Sequence, residues 1–160
     1  MQKIQGSKGV ALIQCVNPKR NNWRVRWDVQ ENEDGATAQW MEEEFDHRPT
    51  PEEVKRLIVE WYNEQTERNI LEGFEWEGWP VWLSQTNQQN YQSSYNLAKQ
   101  TAGRNLPVTF KFGTDEEPHY HTFESVEELE EFYLAADRHI KTEVAAGWAK
   151  KDAIDLTAYE

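Results

Sequence analysis

The stretch opening at Ser125 constrains this chain more than any other. Ser125-Val126-Glu127-Glu128 has the form of a capping box, in which the serine hydroxyl accepts from the amide three residues on and the glutamate reaches back to the serine amide. The two acids also face the positive end of the helix that follows. Val126, Leu129, Tyr133, Ala136, Ile140 and Val144 then recur at helical spacing, predicting an amphipathic helix of about 20 residues, or about 30 Å, that stops before Gly147. A stripe that long has to cover something.

Two further boxes set the rest of the helical content. Thr50-Pro51-Glu52-Glu53 places a cap at Thr50 and a proline at the first helical position, and Val54, Leu57, Ile58, Trp61 and Tyr62 carry the helix to about residue 68. Thr86-Asn87-Gln88-Gln89 opens a narrower stripe, Tyr91, Tyr95, Ala98 and Ala102, which ends at Gly103.

The strands lie between these helices. Residues 9–16 are an apolar run, Asn17 to Asn22 are turn residues, and Trp23, Val25, Trp27 and Val29 alternate with Arg24, Arg26 and Asp28 at period two. A turn at Glu33-Asp34-Gly35 leads to a third strand over 36–45, completing an antiparallel meander. In the second half, Glu77-Gly78 between aromatic residues predicts a short hairpin with Pro80 at an edge. Pro107 to Phe112 and His119 to Phe123 read as strands around an acidic turn.

The expected fold is therefore α+β. An N-terminal three-stranded antiparallel meander plus helix, residues 1–70, precedes a second small α+β unit, residues 71–160, ending in the long C-terminal helix.

Composition narrows the function. No apolar stretch approaches the roughly 20 residues a membrane span needs, and the first residues lack the apolar run of a signal peptide, so a cytoplasmic location is expected. Cys15 is the single cysteine, which excludes an internal disulfide, and its apolar setting reads as a small buried hydrophobe. The nucleophile elbow, phosphate loop, dinucleotide fingerprint, zinc-protease helix and paired-cysteine motifs are absent, so no catalytic signature is legible in the spacing and no cofactor is expected.

Three clusters merit weighing as sites. Lys19, Arg20, Arg24 and Arg26 interleave with Trp23 and Trp27, a pattern that suits phosphate contact with base stacking, and three strands followed by a helix is similar to small sheet domains that read DNA with a β-ribbon. Alternation turns Trp23, Val25 and Trp27 inward and leaves Arg24 and Arg26 outward. A net charge of -12 opposes phosphate, so a small DNA-binding protein is the alternative, and the plainer reading is a solvated face paired with the acids that follow. His119 and His121 share one strand face, with Glu117 and Glu124 nearby, but no third ligand has a defining spacing, so a metal site is a weak candidate. Trp76, Trp79 and Trp82 with Glu75 and Glu77 could form a carbohydrate platform, and the plainer reading is that the tryptophans pack between the two expected units or against a partner chain.

From about Ile70 to Leu156 the order of features resembles a domain of unknown function found towards the C-terminus of many bacteriophage and prophage tail-fibre and tail-fibre-assembly proteins. The resemblance is carried by Gly73-Phe74-Glu75-Trp76-Glu77-Gly78, Gln88-Gln89-Asn90, the 107–112 strand, the strand ending at Phe123, and the helix from Ser125 with Ala136 to Ile140 and Lys150 to Ile154. It implies a non-enzymatic, phage- or prophage-derived structural or assembly protein that acts by protein–protein contact or self-association, virion-associated if it is a tail component. On that reading Trp76, Trp79, Trp82, Glu75 and Glu77 are the expected partner-binding residues.

Overall fold

The computed structural model describes every residue from Met1 to Glu160, and the fold is α+β, with an antiparallel N-terminal sheet, three helices and a long C-terminal helix. The chain segregates into two compact units, one made of Met1–Trp61 and Lys151–Glu160, the other of Tyr62–Lys150.

The first unit is built on β1 (Gln2–Ser7), β2 (Ile13–Asn17), β3 (Asn22–Glu31) and β4 (Thr37–Phe45), in the order β1-β4-β3-β2 with every pairing antiparallel. The expected meander of β2, β3 and β4 is present, and β1 is a fourth strand beside it. Residues 9–12 are not strand, so β2 starts later than its apolar run suggested. Asp34 organises the β3–β4 turn, its Oδ1 accepting from the amides of Ala36 and Thr37 at 2.9 and 2.8 Å. Val25 and Trp27 are buried, and the Trp27 indole meets Trp61 edge to face at 6.3 Å.

Trp61 belongs to α1 (Pro51–Glu72), whose start follows the predicted capping box. The Glu53 amide donates to Thr50 Oγ1 at 3.3 Å and the Thr50 amide to Glu53 Oε2 at 2.8 Å. In this unit α1 buries Val54, Ile58 and Trp61. Near the C-terminus a single 3-10 turn, Thr157–Tyr159, buries Tyr159, whose hydroxyl donates to the Arg26 carbonyl at 2.7 Å.

The second unit contains a hairpin of β5 (Glu75–Trp76) and β6 (Trp79–Pro80), then α2 (Gln85–Thr101), a hairpin of β7 (Val108–Gly113) and β8 (Pro118–Phe123), and α3 (Val126–Asp152). The first hairpin turns on Glu77 and Gly78, both at positive φ, 50° and 82°, the backbone of a type I′ turn. The cap of α2 is Ser84, two residues before the expected Thr86: its extended backbone lets its Oγ accept from the Asn87 amide at 3.2 Å. For α3 the cap is Ser125, as expected, with its Oγ accepting from the Glu128 amide at 3.2 Å.

The glycine expected to stop α3 does not. The helix runs 27 residues, about 40 Å, and Gly147 lies buried within it. A Cβ at that position would collide with Thr66 of α1, so glycine here permits a close helix–helix approach. The core of this unit is aromatic. Phe132, fully buried, stands amid Phe74, Trp76, Tyr91, Phe110, Phe112 and Phe123, with centroid distances from 4.9 to 6.2 Å. The stripe of α3 thus covers the β7–β8 hairpin within its own unit.

Candidate functional site

The three expected contact tryptophans take three different positions. Trp76 packs edge to face on Phe132 at 5.4 Å, with its indole Nε1 buried and unpaired. Trp79, its cross-strand partner, is half-buried and lies flat against His119, with centroids 4.3 Å apart and planes 2° apart. Trp82 is 49% exposed. Glu75 and Glu77 are exposed on the same hairpin, and Glu77 Oε2 lies 3.7 Å from His121 Nδ1.

His119 and His121 sit side by side on β8 at 6.1 Å between ring centroids, each already engaged. His119 carries Trp79, while His121 also meets Glu128 Oε1 at 3.2 Å through Nε2. Glu128, rather than Glu117 or Glu124, is the carboxylate hydrogen-bonded to the pair, and no three His, Cys, Asp or Glu side chains gather at metal-ligand spacing.

The cations of the β2–β3 hairpin divide. Lys19 and Arg20 are exposed in the turn. Arg26, expected to face outward, is 6% exposed, a correction that follows from register: Glu42 lies opposite it on β4, with Oε2 2.7 Å from Arg26 Nε. Arg26 Nη1 also donates to the Ala11 carbonyl and to Gln14 Oε1 at 2.8 and 3.0 Å, so three of the five guanidinium donors are engaged within the protein. Arg24 stays half-exposed and pairs with Glu44 at 2.7 Å, as the plainer reading had it. Cys15 is half-buried on β2.

Beside Trp82 the second unit opens a groove of about 990 Å³ that the sequence did not single out. One wall is α2, which presents Asn87, Asn90, Ser93 and Ser94; the other is β7, with Thr109 and Lys111. The floor is aromatic, with Tyr91 against Phe110 at 4.7 Å. Burial pushes the Tyr91 phenol up to about 12, so it stays neutral across the physiological range. At one end Asp115 receives a hydrogen bond from Lys111 Nζ at 2.9 Å, which raises the lysine above and lowers the carboxyl below their ordinary values. The pattern of a strand whose outward residues are polar, with a partner on one side only, is the signal that would have pointed here.

The sequence profile of the family Domain of unknown function (DUF4376) fits residues 53–160. No curated protein and no solved structure matches the chain.

Proposed function

The chain belongs to the family Domain of unknown function (DUF4376), and on that premise we propose that it is a phage- or prophage-derived structural or assembly protein, tail-associated, acting by protein–protein contact and without catalysis. The observation that carries this reading is Trp82, 49% exposed at a groove of about 990 Å³ whose α2 wall presents uncharged amides and hydroxyls. An indole held partly in water beside amides and hydroxyls on a rigid scaffold is the kind of anchor that protein interfaces enrich. The resemblance to tail-fibre and tail-fibre-assembly domains supplies the context, cytoplasmic during assembly or virion-bound afterwards. No helix is long and apolar enough to cross a membrane.

The test is co-expression of the full chain with the tail proteins encoded beside its gene, followed by co-purification. A stable complex that Trp82→Ala weakens at least about ten-fold, with unchanged thermal stability, is the expected result. Absence of tail genes from the neighbourhood, or full association by the variant, removes this reading.

The DNA-binding alternative rests on Lys19, Arg20, Arg24 and Arg26. With Arg24 and Arg26 committed to Glu44 and Glu42, Lys19 and Arg20 are the two left to meet phosphate. Retention on duplex DNA at low salt, lost steeply as salt rises, is what that alternative requires.

A further inference from the structure

β7 is hydrogen-bonded to one strand only, β8. The Thr114 amide donates to the Glu117 carbonyl at 3.2 Å across the turn, which makes that pair hydrogen-bonded and fixes the alternation behind it. Counting back along the register, Phe112, Phe110 and Val108 direct their amides and carbonyls at β8. Thr109, Lys111 and Gly113 therefore direct theirs away from it, and these three residues line the groove. The side chains agree, since Thr109 Oγ1 and Thr122 Oγ1 meet at 2.8 Å, the close approach of a pair that is not hydrogen-bonded through the backbone. Beyond the β7–β8 ladder, no carbonyl of the protein accepts from the amides of Thr109, Lys111 or Gly113.

An open strand edge along a groove, rather than on a bare surface, is shaped for one more strand. The charge of the groove selects its occupant. Lys111 is the one cation lining it and is taken by Asp115, whereas Glu72 lines it with no ion pair, and Glu116 and Glu117 stand in the turn that continues from Asp115. A second copy of a chain of net charge -12 is repelled, and a basic segment is drawn in.

We propose that β7 is a docking edge, at which an extended basic segment of another protein adds as a third strand, its backbone pairing with Thr109, Lys111 and Gly113. The proposal rests on the protein-contact reading and names how the groove takes its partner.

The probe is a capped peptide of about eight residues alternating lysine and valine, compared with its glutamate–valine counterpart and with a version N-methylated at alternate residues. Binding to the full chain is measured by fluorescence polarisation, and amide hydrogen exchange is followed residue by residue. The lysine–valine peptide is expected to bind and to slow exchange at Thr109, Lys111 and Gly113 at least about ten-fold, while the other two peptides do neither. Thr109→Pro removes an outward amide at a position where an edge strand tolerates proline, and should weaken binding about ten-fold. Should that variant unfold, Glu72→Lys leaves the backbone intact and should weaken binding to a similar extent.

Equal binding by the N-methylated or acidic peptide, binding without protection of the three amides, or no binding overturns the proposal. Protection that rises with protein concentration in the absence of peptide would make the occupant a second copy and overturn it as well. If the peptides fail while Trp82→Ala still disrupts a tail complex, strand addition falls and the contact reading stands.

Discussion

Arg26 on β3 and Glu42 on β4 face each other at 2.7 Å with 6% and 3% of their surfaces exposed, so each charge is held beneath the surface by the other. Glu42 Oε2 also accepts from the Trp40 indole at 3.4 Å, and the Arg26 guanidinium lies 5.9 Å from that ring. Removing one partner strands the other in a site where water cannot replace it. Glu42→Ala should therefore cost about 3–5 kcal/mol, measured by urea unfolding, and Glu44→Ala on the exposed Arg24 pair less than about 1 kcal/mol. Equal costs would mean that Arg26 finds water once Glu42 is gone.

Phe132 sits at the centre of its aromatic cluster with no exposed surface, and every hairpin of the second unit reaches it. Phe132→Ala should lose about 3–5 kcal/mol and Phe132→Leu about 1–1.5 kcal/mol. Near-ultraviolet circular dichroism should collapse with the first substitution and persist with the second.

Gly147 and Thr66 make a second test of packing. Alanine at 147 gains roughly 1 kcal/mol of helix propensity, but its methyl meets Thr66, whose own Oγ1 is tied to the Tyr62 carbonyl at 2.8 Å. Overpacking of that kind costs roughly 1–3 kcal/mol, so Gly147→Ala should destabilise the chain. Adding Thr66→Ala should recover the loss in a double-mutant cycle, and failure to recover it would place the strain elsewhere.

His47 sits at the entry to α1, with Nδ1 2.8 Å from Asp46 and Nε2 3.1 Å from Glu53. Its hydrogen bond to Asp46, and then that to Glu53, raise it above the ordinary 6.5. The stability it contributes is complete below 6.5 and is lost as pH rises through the raised value. Glu53 is lowered, first by the Thr50 amide and then by His47, so its contribution is present above the ordinary 4.5 and is lost on acidification. The start of α1 should be held best between 4.5 and 6.5, and His47→Gln should abolish the alkaline side of that profile in thermal unfolding scans. An unchanged slope would show that His47 does not titrate against the cap.

Tyr91 offers a spectroscopic check on the floor of the groove. With its phenol pushed from 10.0 to about 12, Tyr91 should ionise late in an ultraviolet titration, alongside Tyr95, which its hydrogen bond to Glu130 also raises, and Tyr91→Phe should shrink the late amplitude by one tyrosine. The associated stability is present below 10.0 and disappears as pH climbs through about 12.

How far the fold could be read from sequence follows from how local each signal is. Thr50 and Ser125 were legible because a capping box closes within four residues, and the Glu77-Gly78 turn because its backbone demands are met on the spot. β1 was not, because Gln2–Ser7 is mostly polar and becomes a strand only by pairing with β4. Gly147 reads as a terminator in sequence because the contact that requires a glycine there, with Thr66, comes from a distant helix. Arg26 was misplaced for the same reason, since alternation tells which residues share a face and not whether that face is covered. The groove was the least accessible feature, being made by α2 and β7, whose sequences carry no mark of lying side by side. Among the aromatic residues expected at a surface, composition could not separate Trp76, in the core against Phe132, from Trp82, in water.

The open edge of β7 also bears on how the protein behaves in bulk. Unpaired strand edges invite like edges, and at neutral pH a net charge of -12 opposes that pairing between copies of this chain. That repulsion vanishes near the isoelectric point of about 4.8. Colloidal stability should therefore have its minimum there, with turbidity arising from native molecules zipped edge to edge before any of them unfolds.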